Sequence, residues 1–185
     1  MPDRGRLTLI LGGARAGKSS YAEACAKDVE RVVFIATAEA LDDDMTARIA
    51  RHRTERPAHW STVEAPLDLS GAIAGAHPDA ALIIDCLTLW TSNALFAHPE
   101  RSADEVTAAV AAGTADWLAA AARHRGSIFV VSNEVGLGIV PENALSRQYR
   151  DLLGRVNQQV AAAADDVVLV VAGIPVSIKR SSPES

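Results

Sequence analysis

Aromatic side chains are scarce in this chain: three Trp, two Tyr and three Phe amount to 4% of 185 residues. The core must therefore be built from Ala, Val, Leu and Ile, which supply most of the 49% that is apolar. Cysteine is also nearly missing. Cys25 and Cys86 alone cannot build a disulfide framework or a metal-thiolate cluster, and both fall in segments expected to be buried, as small apolar filler. No apolar run approaches the ~20 residues of a membrane span, and the N-terminus lacks the apolar core of a signal peptide. A reducing, cytoplasmic setting is the expectation. Acidic residues outnumber basic ones, 23 to 18, for a net charge of −5, which argues against broad binding to nucleic acid or anionic membranes. The length suits one domain over 1–185, with flexible ends at 1–6 and 180–185.

Short apolar runs alternate with helical patterns. Leu7–Leu11, Val32–Ala36, Ala81–Asp85, Ser127–Ser132 and Val167–Val171 read as strands, and Trp60–Glu64 looks extended. Helices are expected over Tyr21–Lys27, from about Met45 to Arg53 behind Asp42, Asp43 and Asp44, and over Leu67–Ala74, Leu87–Leu95, 103–124 and Asn143–Ala164. In the last of these, Leu145, Tyr149, Leu152, Leu153, Val156 and Val160 form one stripe. Continuous apolar strands alternating with helices imply a mainly parallel sheet covered on both faces, hence a three-layer α/β fold.

Gly12-Gly13-Ala14-Arg15-Ala16-Gly17-Lys18-Ser19 completes the pattern G-x-x-x-x-G-K-[ST], with a strand before it and a helix after it. In that setting backbone N–H groups converge on phosphate oxygens, aided by the positive end of the helix. Lys18 can reach the β- and γ-phosphates, and the Ser19 hydroxyl can ligate Mg²⁺. The chain is expected to bind a nucleoside triphosphate in a P-loop domain.

Asp85 ends a buried strand on the edge where the P-loop opens. It suits the second acidic partner of Mg²⁺, with a cap for the following helix as the lesser and compatible alternative. Asn133 and Glu134 end the next strand on the same edge and are weaker candidates for contacts to substrate or catalytic water. Arg48, His52 and Arg56 are spaced by four and share a helical face, either a triphosphate contact or a solvated surface. Positive neighbours disfavour the imidazolium and keep His52 nucleophilic.

These pieces, together with Ile35-Ala36-Thr37-Ala38, Arg48–Arg53, Arg56–Trp60, Asp85–Trp90 with Asn93, Ser132–Asn143 and Arg147–Gln158, resemble one family from about Leu7 to Lys179. It is the bifunctional adenosylcobinamide kinase / adenosylcobinamide-phosphate guanylyltransferase of cobalamin biosynthesis. Departures are small: Ala16 stands where Ser is common, and Met1–Arg6 is an extension. The resemblance implies a RecA-like P-loop NTPase fold, ATP or GTP with Mg²⁺, and the corrinoids adenosylcobinamide and adenosylcobinamide phosphate as substrates. It also implies a homo-oligomer, a trimer. His52 and Lys18 become the catalytic residues, with His52 carrying GMP. The nucleotide site then takes Gly12–Ser19 with Ser20, Ala36, Thr37, Ala38, Arg53, Thr54, Glu55, Arg56, Glu64 and Asp85, and the metal takes Ser19 and Asp85. Trp60, Trp90 and the Gly136–Gly138 loop suit a corrinoid entrance, with core filling an equal alternative for the two tryptophans. A small-metabolite kinase limited to γ-phosphoryl transfer, or a nucleotide-switched binding module, would share the P-loop and Asp85.

Overall fold

The structure, a computed structural model, describes residues 4–39 and 56–181. Seven strands form one sheet in the order β3-β2-β4-β5-β1-β6-β7. They are β1 (Leu7–Gly12), β2 (Val32–Ala36), β3 (Ser61–Glu64), β4 (Ala81–Asp85), β5 (Ile128–Val131), β6 (Asp166–Val171) and β7 (Ile174–Arg180). Every neighbouring pair from β1 to β6 is parallel, and only β7 runs against its neighbour. The described helices are α1 (Lys18–Ala26), α2 (Leu69–Gly75), α3 (Leu87–Phe96), α4 (Ala103–Ala121) and α5 (Ala144–Ala163).

Period-2 alternation within the strands divides the core in two. Leu9, Val33, Ile35, Leu82, Ile84, Ile128 and Val130 face one layer, packed by residues of α2, α3, α4 and α5 such as Ile73, Trp90, Trp117 and Val156. Ile10, Phe34, Ile83, Val131 and Val168 face the other, against Ala22 and Ala26 of α1 and against Trp60. The expected parallel sheet with both faces covered is what forms. Local signals set the helix starts: Ser102 and Glu105 form a reciprocal capping box for α4, and the Asn143 side chain accepts from Ser146 N–H at α5.

Several expectations need correction. Cys25 is exposed on α1 rather than buried, because Ala22 and Ala26 take the inward face of that short helix. Trp60 and Trp90 are both core residues, 8% and 3% exposed, so neither lines an entrance. The supposedly flexible ends are partly tied down. Arg4 and Arg6 pair with Asp165 and Asp166, and Arg180 belongs to β7, opposite Asp166.

That strand is absent from the expected set, although Ile174, Val176 and Ile178 alternate with Pro175, Ser177 and Lys179. It is an edge strand, which is where a proline is tolerated. The β6–β7 turn places Ala172 at φ 51° and Gly173 at φ 81°, left-handed conformations that suit Gly at both positions. Ala172 therefore carries strain. Ala172→Gly should raise stability by about 1 kcal/mol net of the added chain entropy, seen as a melting temperature about 2–4 °C higher; an unchanged or lower value would show that the turn is unstrained.

Candidate active site

Parallel pairing makes the carboxyl ends of the strands emerge on one edge, and the sequence candidates collect there. Ala36 is in register with both Glu64 and Asp85, Asp85 with Val131, and Val131 with Ile10, two residues before the phosphate loop. Strand β5 lies between β1 and β4, so Ser132–Glu134 leaves the sheet between the phosphate loop and Asp85.

The loop is shaped by backbone requirements. Gly17 has φ 98° and begins α1; a Cβ there would sit 3.3 Å from Gly173 Cα. A Cβ on Gly12 would lie 2.5 Å from Val170 O. Glycine is needed at both. The exposed crest, Gly13, Ala14 and Arg15, has Arg15 at φ 57°. Two neighbours brace the loop: Gly173 N–H donates to Ala16 O at 2.9 Å, and Glu134 N–H donates to Gly12 O at 3.1 Å.

Lys18 is buried at the mouth of the loop and its Nζ donates to Gly13 O at 2.6 Å. Burial lowers its pKa, opposed by the neighbouring Cys86 and Asp85 groups. Ser19 and Ser20 follow on the first turn of α1, half-buried and exposed respectively. Asp85 does not cap α3; the N-cap position is Cys86, without a side-chain cap bond. Among the described residues its carboxylate accepts no hydrogen bond. Burial pushes the Cys86 thiol up to about 11, so it stays protonated at neutral pH and is no nucleophile.

Thr37 is fully buried. Its hydroxyl accepts from Cys86 N–H and donates to Cys86 O, both at 2.7 Å, while Thr37 N–H donates to Asp85 O at 3.1 Å. Asn93 Nδ2 completes the knot by donating to Thr37 O at 2.8 Å. Thr37 thus fixes the backbone beside Asp85, and its side chain is engaged there. Ala36 and Ala38 are half-buried neighbours, and Glu64 is exposed at the end of β3. Arg56 stacks over Phe34, 3.4 Å from the ring centroid. Arg48, Arg51, His52, Arg53, Thr54 and Glu55 lie outside the described residues.

A polar network missed in the sequence connects these parts. The buried Ser132 Oγ donates to Asn157 Oδ1 at 2.6 Å, and Asn157 Nδ2 donates to Asn133 O at 3.0 Å. Asn133 N–H donates to Thr88 Oγ1, and Tyr149 OH donates to Thr88 O. The available signal was Asn157 itself, a polar residue beside Leu153, Val156 and Val160 on the apolar stripe of α5.

Among the described residues no three His, Cys, Asp or Glu side chains form a metal cage. Mg²⁺ is commonly held by one or two side chains with substrate phosphates and water. Asp85, close enough to act on the Lys18 charge, and the Ser19 hydroxyl are of the right donor type.

A mainly parallel α/β sheet with this loop at its carboxyl edge defines a P-loop nucleotide-binding fold. A solved structure from Pyrococcus horikoshii shares the fold at a TM-score of 0.57, covering 97% of this chain and 89% of that one at 5% identity. The sequence pattern of the family described as cobinamide kinase / cobinamide phosphate guanyltransferase matches residues 8–178, and the chain belongs to that family. It is 46% identical over 180 residues to the bifunctional adenosylcobalamin biosynthesis protein CobU of Salmonella typhimurium, covering 94% of this chain and 99% of that protein. The bifunctional adenosylcobalamin biosynthesis protein CobP of Pseudomonas aeruginosa is 43% identical, covering 92% and 96%.

The buried Lys18 charge yields a direct test. Its folded-state pKa is lowered from the ordinary 10.5, so the ammonium costs stability in full below the lowered value, and the cost fades as pH rises from that value to 10.5 and is gone above it. Lys18→Met should raise the melting temperature of the nucleotide-free protein at pH 7, lose that advantage above pH 10.5, and abolish the stabilisation by added GTP. A variant still stabilised by GTP would remove Lys18 from the phosphate site.

Proposed function

We propose that this protein carries out both reactions of its family on a triphosphate anchored at Gly12–Ser19. The first moves the γ-phosphate of ATP or GTP to the alcohol of adenosylcobinamide. In the second, His52 attacks the α-phosphorus of GTP, pyrophosphate departs and GMP remains on the imidazole. The phosphate of adenosylcobinamide phosphate then attacks that GMP, giving adenosylcobinamide-GDP and restoring His52.

The observation that supports this most is the convergence on one sheet edge of the phosphate loop, Lys18, Asp85 and Glu64. Backbone N–H groups of the loop and the Lys18 ammonium are suited to stabilise charge on the phosphates in both reactions. Mg²⁺, held by Ser19 and Asp85 with phosphate oxygens, would neutralise further charge there when bound. Ala36–Ala38, Arg53–Arg56 and Glu64 complete the nucleotide site by resemblance. Arg56, fixed over Phe34, and Thr37, fixed to Cys86, flank in sequence the segment that carries His52. The exposed apolar side chains of Leu137, Ile139 and Val140, 87%, 97% and 59% exposed, suit the approach of a bulky corrinoid on the same edge.

Incubation with GTP labelled at the α-phosphate should give an acid-labile, alkali-stable protein adduct in the wild type and none in His52→Asn. Label persisting in the variant would relocate the nucleophile. No label in the wild type would leave only γ-phosphoryl transfer.

Ile174, Val176 and Ile178 are 65%, 49% and 60% exposed on edge strand β7. An apolar edge of this kind invites pairing with another chain, and a homotrimer accounts for its cover. Sedimentation equilibrium should give three times the chain mass; a stable monomer at micromolar concentration refutes the assembly.

A further inference from the structure

We propose that Glu134 is the general base of the kinase step, the group that takes the proton from the substrate alcohol. The proposal rests on the two-reaction reading above and goes beyond it by assigning a residue to one reaction alone.

Alcohols are poor nucleophiles while protonated, so phosphoryl transfer to an alcohol benefits from a positioned proton acceptor. Several carboxylates and imidazoles among the described residues are badly placed for that task. Asp85 lies beside the Lys18 ammonium and is assigned to the metal. Glu64 ends β3, three strands away from β5. His59 and His77 line a cavity with Arg31 and Val32, at the opposite edge of the sheet. His124 is buried against Ala80 O at the start of β4.

Glu134 is different. It leaves β5, the strand between the phosphate loop and Asp85, and its N–H is bonded to Gly12 O at 3.1 Å. The preceding residue, Asn133, is held on both sides, its N–H by Thr88 and its carbonyl by Asn157. Asn157 is locked in turn by the buried Ser132 hydroxyl. Burying an amide in the apolar stripe of α5 is costly unless its bonds are met, and here they are met by the one segment that places Glu134. The carboxylate is oriented as well: Oε1 accepts from Gly136 N–H at 2.6 Å. Among the described residues Oε2 has no hydrogen-bond partner, which leaves an acceptor for a proton.

The step balances simply. The alcohol oxygen forms a bond to the γ-phosphorus, and the bond from that phosphorus to the β,γ-bridging oxygen breaks. Its electron pair leaves with ADP or GDP, while the hydroxyl proton passes to Glu134. Guanylyl transfer is different in this respect. The attacking group on adenosylcobinamide phosphate is an ionised phosphate oxygen, and His52 attacks GTP as a neutral imidazole. Neither nucleophile needs Glu134, so the two activities should separate at this residue.

Glu134→Gln keeps an oxygen for Gly136 N–H and removes the basicity. The purified variant should be assayed three ways: label transfer from γ-labelled ATP or GTP to adenosylcobinamide, protein labelling by α-labelled GTP, and guanylyl transfer to supplied adenosylcobinamide phosphate. The kinase turnover should fall by roughly 10²–10⁴-fold, with both guanylyl readouts unchanged within a few-fold and Glu134→Asp recovering part of the loss. Retained guanylyl transfer also shows that the variant is folded. Full kinase turnover in Glu134→Gln, or parallel loss of all three readouts, overturns the assignment. A wild type that phosphorylates no corrinoid, yet is labelled by α-labelled GTP, removes the kinase reading and this assignment together.

Discussion

Strand direction is the constraint on which the rest depends. From β1 to β6 every pairing is parallel, so each connection must start at the carboxyl edge and return to the amino edge. Chemistry placed at strand ends therefore gathers on one side without any long-range arrangement of loops. The strand order adds the finer positioning. With β5 between β1 and β4, the residues after Val131 emerge between the phosphate loop and Asp85. The phosphate loop after β1, Thr37 after β2, Glu64 on β3, Asp85 on β4 and Glu134 after β5 share one edge because their strands share a direction.

Gathering polar groups at the edge of a buried sheet has a desolvation cost, and the structure meets it with hydrogen bonds rather than with exposure. Thr37 satisfies both backbone groups of Cys86 with a single hydroxyl. Ser132 and Asn157 satisfy one another and then Asn133. Each such bond contributes only about 0.5–1.5 kcal/mol to stability, while breaking one and leaving its partner buried costs about 1–3 kcal/mol. Their effect is therefore mainly geometric: alternative placements of Asp85 and Glu134 leave a buried group unmet. Lys18 is the exception. Its desolvation is only partly offset by Gly13 O and the nearby acids, and in the proposed function a bound triphosphate would supply the missing charge.

How legible each feature was in the sequence follows from where its cause lies. Gly17 and Gly12 were legible because backbone conformation and close approach to Val170 and Gly173 demand glycine itself. The strand ending at Asp85 was legible from its apolar run. β7 was written in period 2 but is proline-bearing and exposed on every residue, so it lacks the buried-strand signature of the others. Cys25 was misplaced because α1 is narrow, with Ala22 and Ala26 sufficient for its inward face. The assignments of Thr88 and Asn157 had no local signal of partner: Thr88 meets Asn133 across 45 residues and Asn157 meets Ser132 across 25. Such contacts are set by topology, which the local pattern specifies only through the sheet order. The helical face of Arg48, His52 and Arg56 stays a sequence argument: Arg48 and His52 lie outside the described residues, and Arg56 stands in a bend rather than a helix.

The two proposed reactions differ in what their nucleophiles require, and the fold offers a separate place for each requirement. Phosphate anchoring is common to both and is assigned to the β1–α1 loop, which Gly173 and Glu134 brace. The acceptor of the alcohol proton sits on the segment after β5, fixed through α5 and α3. The imidazole that receives GMP belongs to the connection between β2 and β3. These are three different crossovers of one parallel sheet, joined at their roots through Gly12, Thr37 and Asp85. A substitution at the tip of one crossover can alter one reaction without moving the anchor, whereas a substitution at the roots disturbs both. In the proposed reading, one anchor and two partners on separate crossovers would let a single site act at either end of a triphosphate.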